Sequence, residues 1–192
     1  MSKIKTHNTP LNYVFDDFKK EQTIVFSNSL GTDLSMWDKQ VGLLGLEFNV
    51  LRYDTRGHGK SEVPEGEYSI EMLGKDVLEL LDYLKIDKVN FCGLSIGGLT
   101  GQWLGIHAPE RLHKLILSNT ATKIGNEEGW NNRIETVRQN GLNSIVSGTQ
   151  ERWFTPGFVN ENKVVVDDVL SVFVKTPLDG YMSCCAAVRD AD

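Results

Sequence analysis

The sequence predicts an α/β fold, a mostly parallel sheet flanked by helices on both faces. Three observations carry this. Short apolar runs of β character alternate, as far as Leu117, with stretches whose apolar residues recur at three-and-four spacing. One run, Val89-Asn90-Phe91-Cys92, passes directly into Gly93-Leu94-Ser95-Ile96-Gly97, after which Leu99, Trp103 and Ile106 take up helical spacing. After Asn119 the texture changes, and Gly125 to Ala187 is helical in pattern with little strand character. The chain therefore divides into an α/β core over 1–121 and a helical layer over 122–192, read as an inserted cap.

The elements follow in order. Leu11, Tyr13 and Phe15 alternate with Asn12 and Val14 and predict a strand, and Asp16 to Glu21 is a charged turn. Thr23-Ile24-Val25-Phe26 is a buried strand that runs into the small, polar loop Ser27-Asn28-Ser29-Leu30-Gly31. Ser35, with Asp38 three residues on, resembles a capping box for a helix carrying Trp37, Val41 and Leu44 inward. Phe48 to Tyr53 is the next strand, and Arg56-Gly57-His58-Gly59-Lys60-Ser61 is a loop. Ser69 opens a helix with Ile70, Leu73, Val77, Leu80, Leu81 and Leu84 on one face. Pro109 ends the helix after the Ser95 turn, and Leu115-Ile116-Leu117 is a further short strand. In the cap, Trp130, Ile134 and Val137 share a helical face. Val165, Val169, Phe173 and Val166, Leu170, Val174 do likewise, with Pro156 and Pro177 as punctuation.

Bulk composition excludes several classes. At 192 residues the chain holds one domain, or a core with a small insertion, and 40% hydrophobic with 24% charged residues is ordinary for a soluble globular protein. The net charge is −6 with no basic stretch, which argues against a nucleic-acid partner. Residues 1–8 lack the apolar core of a signal peptide, and no apolar run approaches a membrane span. Cys92, Cys184 and Cys185 cannot all pair, so free thiols in a reducing cytoplasm are the plain reading.

A strand, a sharp turn with a central serine, and a helix form the context that a nucleophile elbow requires. Flanking glycines let strand and helix approach, and the helix N-terminus offers backbone N–H groups and a positive dipole end to negative charge developing at Ser95. A glycine-rich turn with an incidental serine is the alternative, and the flanking strand and helix weigh against it.

On these residues the chain resembles the α/β-hydrolase fold family, and most closely the 3-oxoadipate enol-lactonases of aromatic degradation. The matching stretches are Ser27 to Trp37, Arg52 to Ser61 and Phe91 to Gly98. The resemblance implies a serine nucleophile at Ser95 and an oxyanion hole from the N–H of Ile96, with a second donor in the loop after the Thr23–Phe26 strand, assigned to Leu30. The implied reaction is hydrolytic opening of a five-membered enol-lactone bearing a carboxymethyl arm, with no metal or organic cofactor.

Such chemistry also needs a base and an orienting acid, in the chain order serine, acid, histidine. Only His107 and His113 follow Ser95, one far down the elbow helix and one at the start of the last strand, away from the serine. His58 lies in a loop where the family places a structural histidine, and His7 sits near the terminus. Asn119-Thr120 offers no carboxylate, and Asp190 and Asp192 read as linker residues. The expectation is a hydrolase whose last core strands are missing, inactive alone, with an edge strand that invites a complementing segment or oligomer. Arg133 is the first candidate for the substrate carboxylate and Arg152-Trp153-Phe154 offers a second, each weighed evenly against a solvated surface charge. Trp130 and Trp153 read as pocket wall or cap core. Alternatives are another esterase, a haloperoxidase-like enzyme, or a catalytically silent hydrolase-fold module that binds a ligand or partner.

Overall fold

The computed structural model describes residues 2–5 and 9–192. Six strands form one mixed sheet: β1 (Ser2–Lys5), β2 (Pro10–Asp16), β3 (Thr23–Ser27), β4 (Asn49–Tyr53), β5 (Val89–Leu94) and β6 (Leu112–Ser118). Their spatial order is β1-β2-β4-β3-β5-β6. β3 pairs in parallel with β4 and β5, and β5 with β6; β1–β2 and β2–β4 are antiparallel. The mostly parallel sheet is as predicted. The short β1 lies outside the predicted strands, because Ser2-Lys3-Ile4-Lys5 carries one apolar residue and no readable alternation.

The two sheet faces follow from alternation along the strands. Val25, Leu51 and Phe91 point to one face and pack with Val77, Leu80 and Leu81 of α2 (Ile70–Leu84) and Leu104 of α3 (Ile96–His107). Ile24, Phe26, Val50 and Cys92 point to the other, against Trp37 and, from α1 (Asp38–Leu44), Val41 and Leu44. Ser69 caps α2, its side chain accepting the Met72 N–H.

Two expectations need correction. The first capping residue is Asp33 rather than Ser35: a 3-10 turn, Leu34–Trp37, precedes α1, and the Asp33 carboxylate accepts the Ser35 N–H. Asp33 wins because a carboxylate at a helix entry accepts from backbone N–H groups more strongly than a hydroxyl. Ile106 lies in the helix as its spacing predicts and is 73% exposed, the core contact of α3 being made by Leu99 and Leu104. The last strand is longer than Leu115–Leu117, because pairing with β5 draws Leu112 to Lys114 into it.

β6 lies at the sheet edge, with Ile116 48% and Leu117 43% exposed. Beyond it come α4 (Glu127–Asn140), α5 (Val146–Trp153), α6 (Pro156–Glu161), α7 (Lys163–Val174) and α8 (Leu178–Arg189). They close over the carboxyl ends of the parallel strands. One apolar cluster joins Leu30, Tyr68, Ile96 and Leu99 of the core to Ile134, Val137, Phe173, Tyr181 and the α8 run Cys184–Val188. α8 is seated closely: a Cβ on Gly180 would lie 2.0 Å from the Gly57 carbonyl oxygen, so only glycine permits that approach. Among the described residues no helix is long and apolar enough to cross a membrane.

Candidate active site

Ser95 occupies the turn between β5 and α3 at φ 58°, ψ −115°, a conformation that costs a non-glycine residue about 1–3 kcal/mol. The surroundings hold it there. Its N–H donates to the Ser118 carbonyl at 2.9 Å, and its carbonyl accepts from Leu99 N–H and Thr120 Oγ1, both at 3.0 Å. The glycines on either side are required by close approach. A Cβ on Gly93 would stand 2.1 Å from the Gly97 oxygen, and one on Gly97 would stand 2.4 Å from the Ser27 oxygen. Gly97 thus serves the approach of α3 to the loop after β3, beyond the strand–helix contact expected from the sequence.

That loop is pinned from several sides. Asn28, fully buried, donates to the Tyr53 carbonyl at 2.8 Å and accepts from Trp37 Nε1 at 2.9 Å. Gly31, at φ 78°, donates its N–H to His58 Nε2 at 2.9 Å. The Thr32 N–H and hydroxyl both donate to the Ser29 carbonyl, at 3.2 and 2.7 Å. Between these anchors the N–H of Leu30 has no acceptor among the described residues. The N–H of Ile96, first in α3, has none inside its helix either, as helix geometry requires. Both residues serve the same region: Leu30 borders the cavity directly, and Ile96 follows the cavity-lining Ser95.

The cavity has a volume of about 750 Å³ and is bordered by Ser95, Leu30, Asn119, Trp130, Arg133 and Trp153, with Arg152, Phe173 and Tyr181. Arg133 donates to the Tyr181 hydroxyl at 3.3 Å and lies over the Trp130 ring at 5.2 Å. The indole of Trp130 is fixed in turn by donating to the Ile124 carbonyl at 2.6 Å. Trp153 meets Phe173 edge to face at 5.7 Å, and Phe173 meets Tyr181 likewise at 5.6 Å. The two tryptophans therefore both border the cavity and pack against the apolar cluster of Ile134, Val137 and Phe173. Of the site residues singled out from the sequence, Ser95, Leu30, Arg133, Trp130 and Trp153 border this one cavity, and Ile96 adjoins it.

The titratable partners behave differently. Ser95 Oγ has no hydrogen-bond partner among the described residues, and no histidine, aspartate or glutamate lines the cavity. His58 is 1% exposed, with Nε2 used by Gly31 and Nδ1 3.3 Å from the Arg56 carbonyl. Burial pushes its pKa down to about 4, so it stands neutral as a loop clamp. His107 stacks on Trp103 at the end of α3, and His113 lies exposed near the start of β6. His7 lies outside the described residues. Asp190 and Asp192 are engaged with Arg189 and Lys123.

Sequence reasoning missed the second layer. Asp54 accepts from Leu34 N–H at 2.7 Å and from Lys60 N–H and Asn12 Nδ2, both at 2.8 Å, tying the loops after β3 and β4 together. Arg56 makes two 2.6 Å bonds to Asp76, buried inside α2. A carboxylate directly after a buried strand, and an acid on the apolar face of a helix, were the signals available.

Residues 22–190 match the family model described as alpha/beta hydrolase fold. The chain is 44% identical over 189 residues to 3-oxoadipate enol-lactonase 2 of Acinetobacter baylyi, covering 98% of this chain and 71% of that one. It is 46% identical over 169 residues to 3-oxoadipate enol-lactonase 1 of the same organism, covering 88% and 63%. The crystal structure of the enol-lactonase from Burkholderia xenovorans LB400 superposes with a TM-score of 0.95 at 45% identity, over 100% of this chain and 74% of that one. The chain thus spans between three-fifths and three-quarters of the length of these relatives.

Proposed function

Because this chain belongs to the alpha/beta hydrolase fold family, we propose that it carries the nucleophile, oxyanion hole and substrate cavity of an enzyme that opens a small carboxylate-bearing enol-lactone. The observation that carries the reading is the strained Ser95 at a cavity with two unengaged N–H groups and arginine among its lining. The two Acinetobacter lactonases, similar along most of this chain, supply the substrate class.

In the proposed reaction Ser95 Oγ attacks the lactone carbonyl. The carbonyl oxygen takes up negative charge between the N–H groups of Leu30 and Ile96. Collapse breaks the ring C–O bond, and the enol oxygen that leaves stays tethered and tautomerises to a ketone. Water then cleaves the acyl-serine and frees a second carboxylate. Arg133 holds the substrate's own carboxylate, and Trp130 and Trp153 form apolar wall. Residues 122–192 act as the cap over the core of 1–121. The place of action is the cytoplasm.

No histidine, aspartate or glutamate borders the cavity among the described residues, and on this reading a complementing segment or a second chain supplies the general base and orienting acid. On this reading the isolated chain retains only oxyanion-hole and binding catalysis, about 10³–10⁴-fold over water. Hydrolysis of the lactone by the purified chain, followed by loss of its ultraviolet absorbance with and without added imidazole, tests this. Imidazole, standing in for the base, should raise the rate by up to about 10²-fold, and Ser95→Ala should remove the gain. Full turnover without imidazole would mean that a base is present. The absence of an acid or histidine at the cavity, among the described residues, also favours a second reading, a silent module that binds its ligand without turnover. No imidazole response would support that one.

A further inference from the structure

We propose that the cavity is a dicarboxylate site in which Arg133 and Arg152 act together as a two-cation anchor. The inference rests on the cavity being the substrate site, and it adds Arg152 and the charge of the ligand to that reading.

The sequence contains seven arginines, at 52, 56, 111, 133, 138, 152 and 189. Five of them, Arg52, Arg56, Arg111, Arg138 and Arg189, have a carboxylate oxygen within 3.0 Å. The two that make no ion pair among the described residues are the two that line the cavity. Each is held by a neutral oxygen instead: Arg133 by the Tyr181 hydroxyl at 3.3 Å, and Arg152 by Thr149 Oγ1 at 3.2 Å. Neutral acceptors orient a guanidinium without cancelling its charge. Among the described residues no aspartate, glutamate, lysine or histidine borders the cavity, so its lining carries two positive charges and no negative one.

The two cations also feel each other. Partial burial, and then the charge of Arg133, push the Arg152 guanidinium below its ordinary pKa. A chain that leaves two arginines of one cavity without an ion pair among the described residues, while pairing its other arginines, is suited to an anion that supplies counter-charge to both. A lactone with one carboxylate is a monoanion. Ring opening leaves its ester carbon on Ser95, and water then releases it as a second carboxylate, so the product is a dianion within the cavity. Two guanidiniums on one cavity equal in number the charges of that product.

The probes are adipate, with two carboxylates; hexanoate, with one; and dimethyl adipate, with none. Trp130 and Trp153 border the cavity, so binding is read by tryptophan fluorescence, with calorimetry as the second readout. Adipate should bind about tenfold tighter than hexanoate, and hexanoate tighter than the diester, at low salt. Added salt should narrow the gaps. Arg152→Gln should bring adipate to the affinity of hexanoate, and Arg152→Lys should retain part of the gap. Arg152 is exposed, which makes both variants safe for folding, and their urea midpoints verify it. Equal affinities for adipate and hexanoate, or an Arg152→Gln variant that keeps the full gap, would overturn the proposal. Ser95→Ala should bind all three probes as the parent does. The binding result is thereby separate from the hydrolysis result: loss of hydrolysis leaves this anchor standing, and loss of the adipate preference leaves Ser95 chemistry standing.

Discussion

Replacing His58 by glutamine probes the loop that presents Leu30. In the folded chain His58 is neutral: Nε2 accepts from Gly31, and burial holds its pKa at about 4 against 6.5 for a free histidine. The unfolded chain therefore binds a proton between those values that the folded chain refuses. With a folded pKa depressed in this way, the contribution is fully present above about pH 6.5 and is lost as pH falls toward 4. The difference between 6.5 and about 4, at about 1.4 kcal/mol per pH unit, amounts to about 3 kcal/mol. The glutamine side chain would still offer an oxygen to the Gly31 N–H but cannot titrate. At about pH 7.5, His58→Gln should lose about 1–2 kcal/mol from imperfect packing. The deficit should shrink with acidification and reverse by about pH 4. Urea unfolding of both proteins across this range measures it. Taking the difference between variant and parent removes most of the response of Asp54 and Asp76. Their pKa values are raised, chiefly by burial, so they act with the opposite sign, losing stability as pH rises through those values. Parallel stability curves for parent and variant would refute a neutral, buried His58.

Other outcomes follow from the same packing. Gly97→Ala forces a methyl within 2.4 Å of the Ser27 carbonyl oxygen, and should lower stability by about 2–3 kcal/mol while displacing the Leu30 loop. Gly42→Ala, in α1 with no atom within 4 Å, should raise it by about 0.5–1 kcal/mol in the same urea assay. The exposed Ile116 and Leu117 on edge strand β6 should make the chain associate as concentration rises; Ile116→Lys should suppress the light scattering without changing the far-ultraviolet spectrum.

Much of this was legible because local signals agreed. Gly-x-Ser-x-Gly between a strand and a helix fixes the elbow, and both glycines turn out to face backbone oxygens at distances no side chain tolerates. The alternation of Ile24, Val25 and Phe26 between two sheet faces follows from strand geometry alone. What stayed hidden depends on partners distant in sequence. Asp54 reads as a loop acid until Leu34, Lys60 and Asn12 are seen to share it. Arg152 reads as a second carboxylate candidate, weighed evenly against a surface charge, until it and Arg133 are found beside one cavity with no carboxylate partner among the described residues. Ile106 shows the converse limit: spacing places a residue on a helix face but does not say how wide the buried face is.

Attack of Ser95 Oγ on a lactone carbonyl leaves a covalent trace. The direct measurement is intact and peptide mass analysis of the chain quenched after incubation with the enol-lactone. Opening a ring expels no fragment, so the acyl-enzyme must carry the whole mass of the lactone. With no histidine, aspartate or glutamate lining the cavity among the described residues, both steps are slow, and long incubation at saturating lactone should let the acyl-serine build up to a detectable level. That increment should appear on the peptide containing Ser95, and be absent in Ser95→Ala. An adduct on another residue, or hydrolysis that continues undiminished in Ser95→Ala, would contradict it.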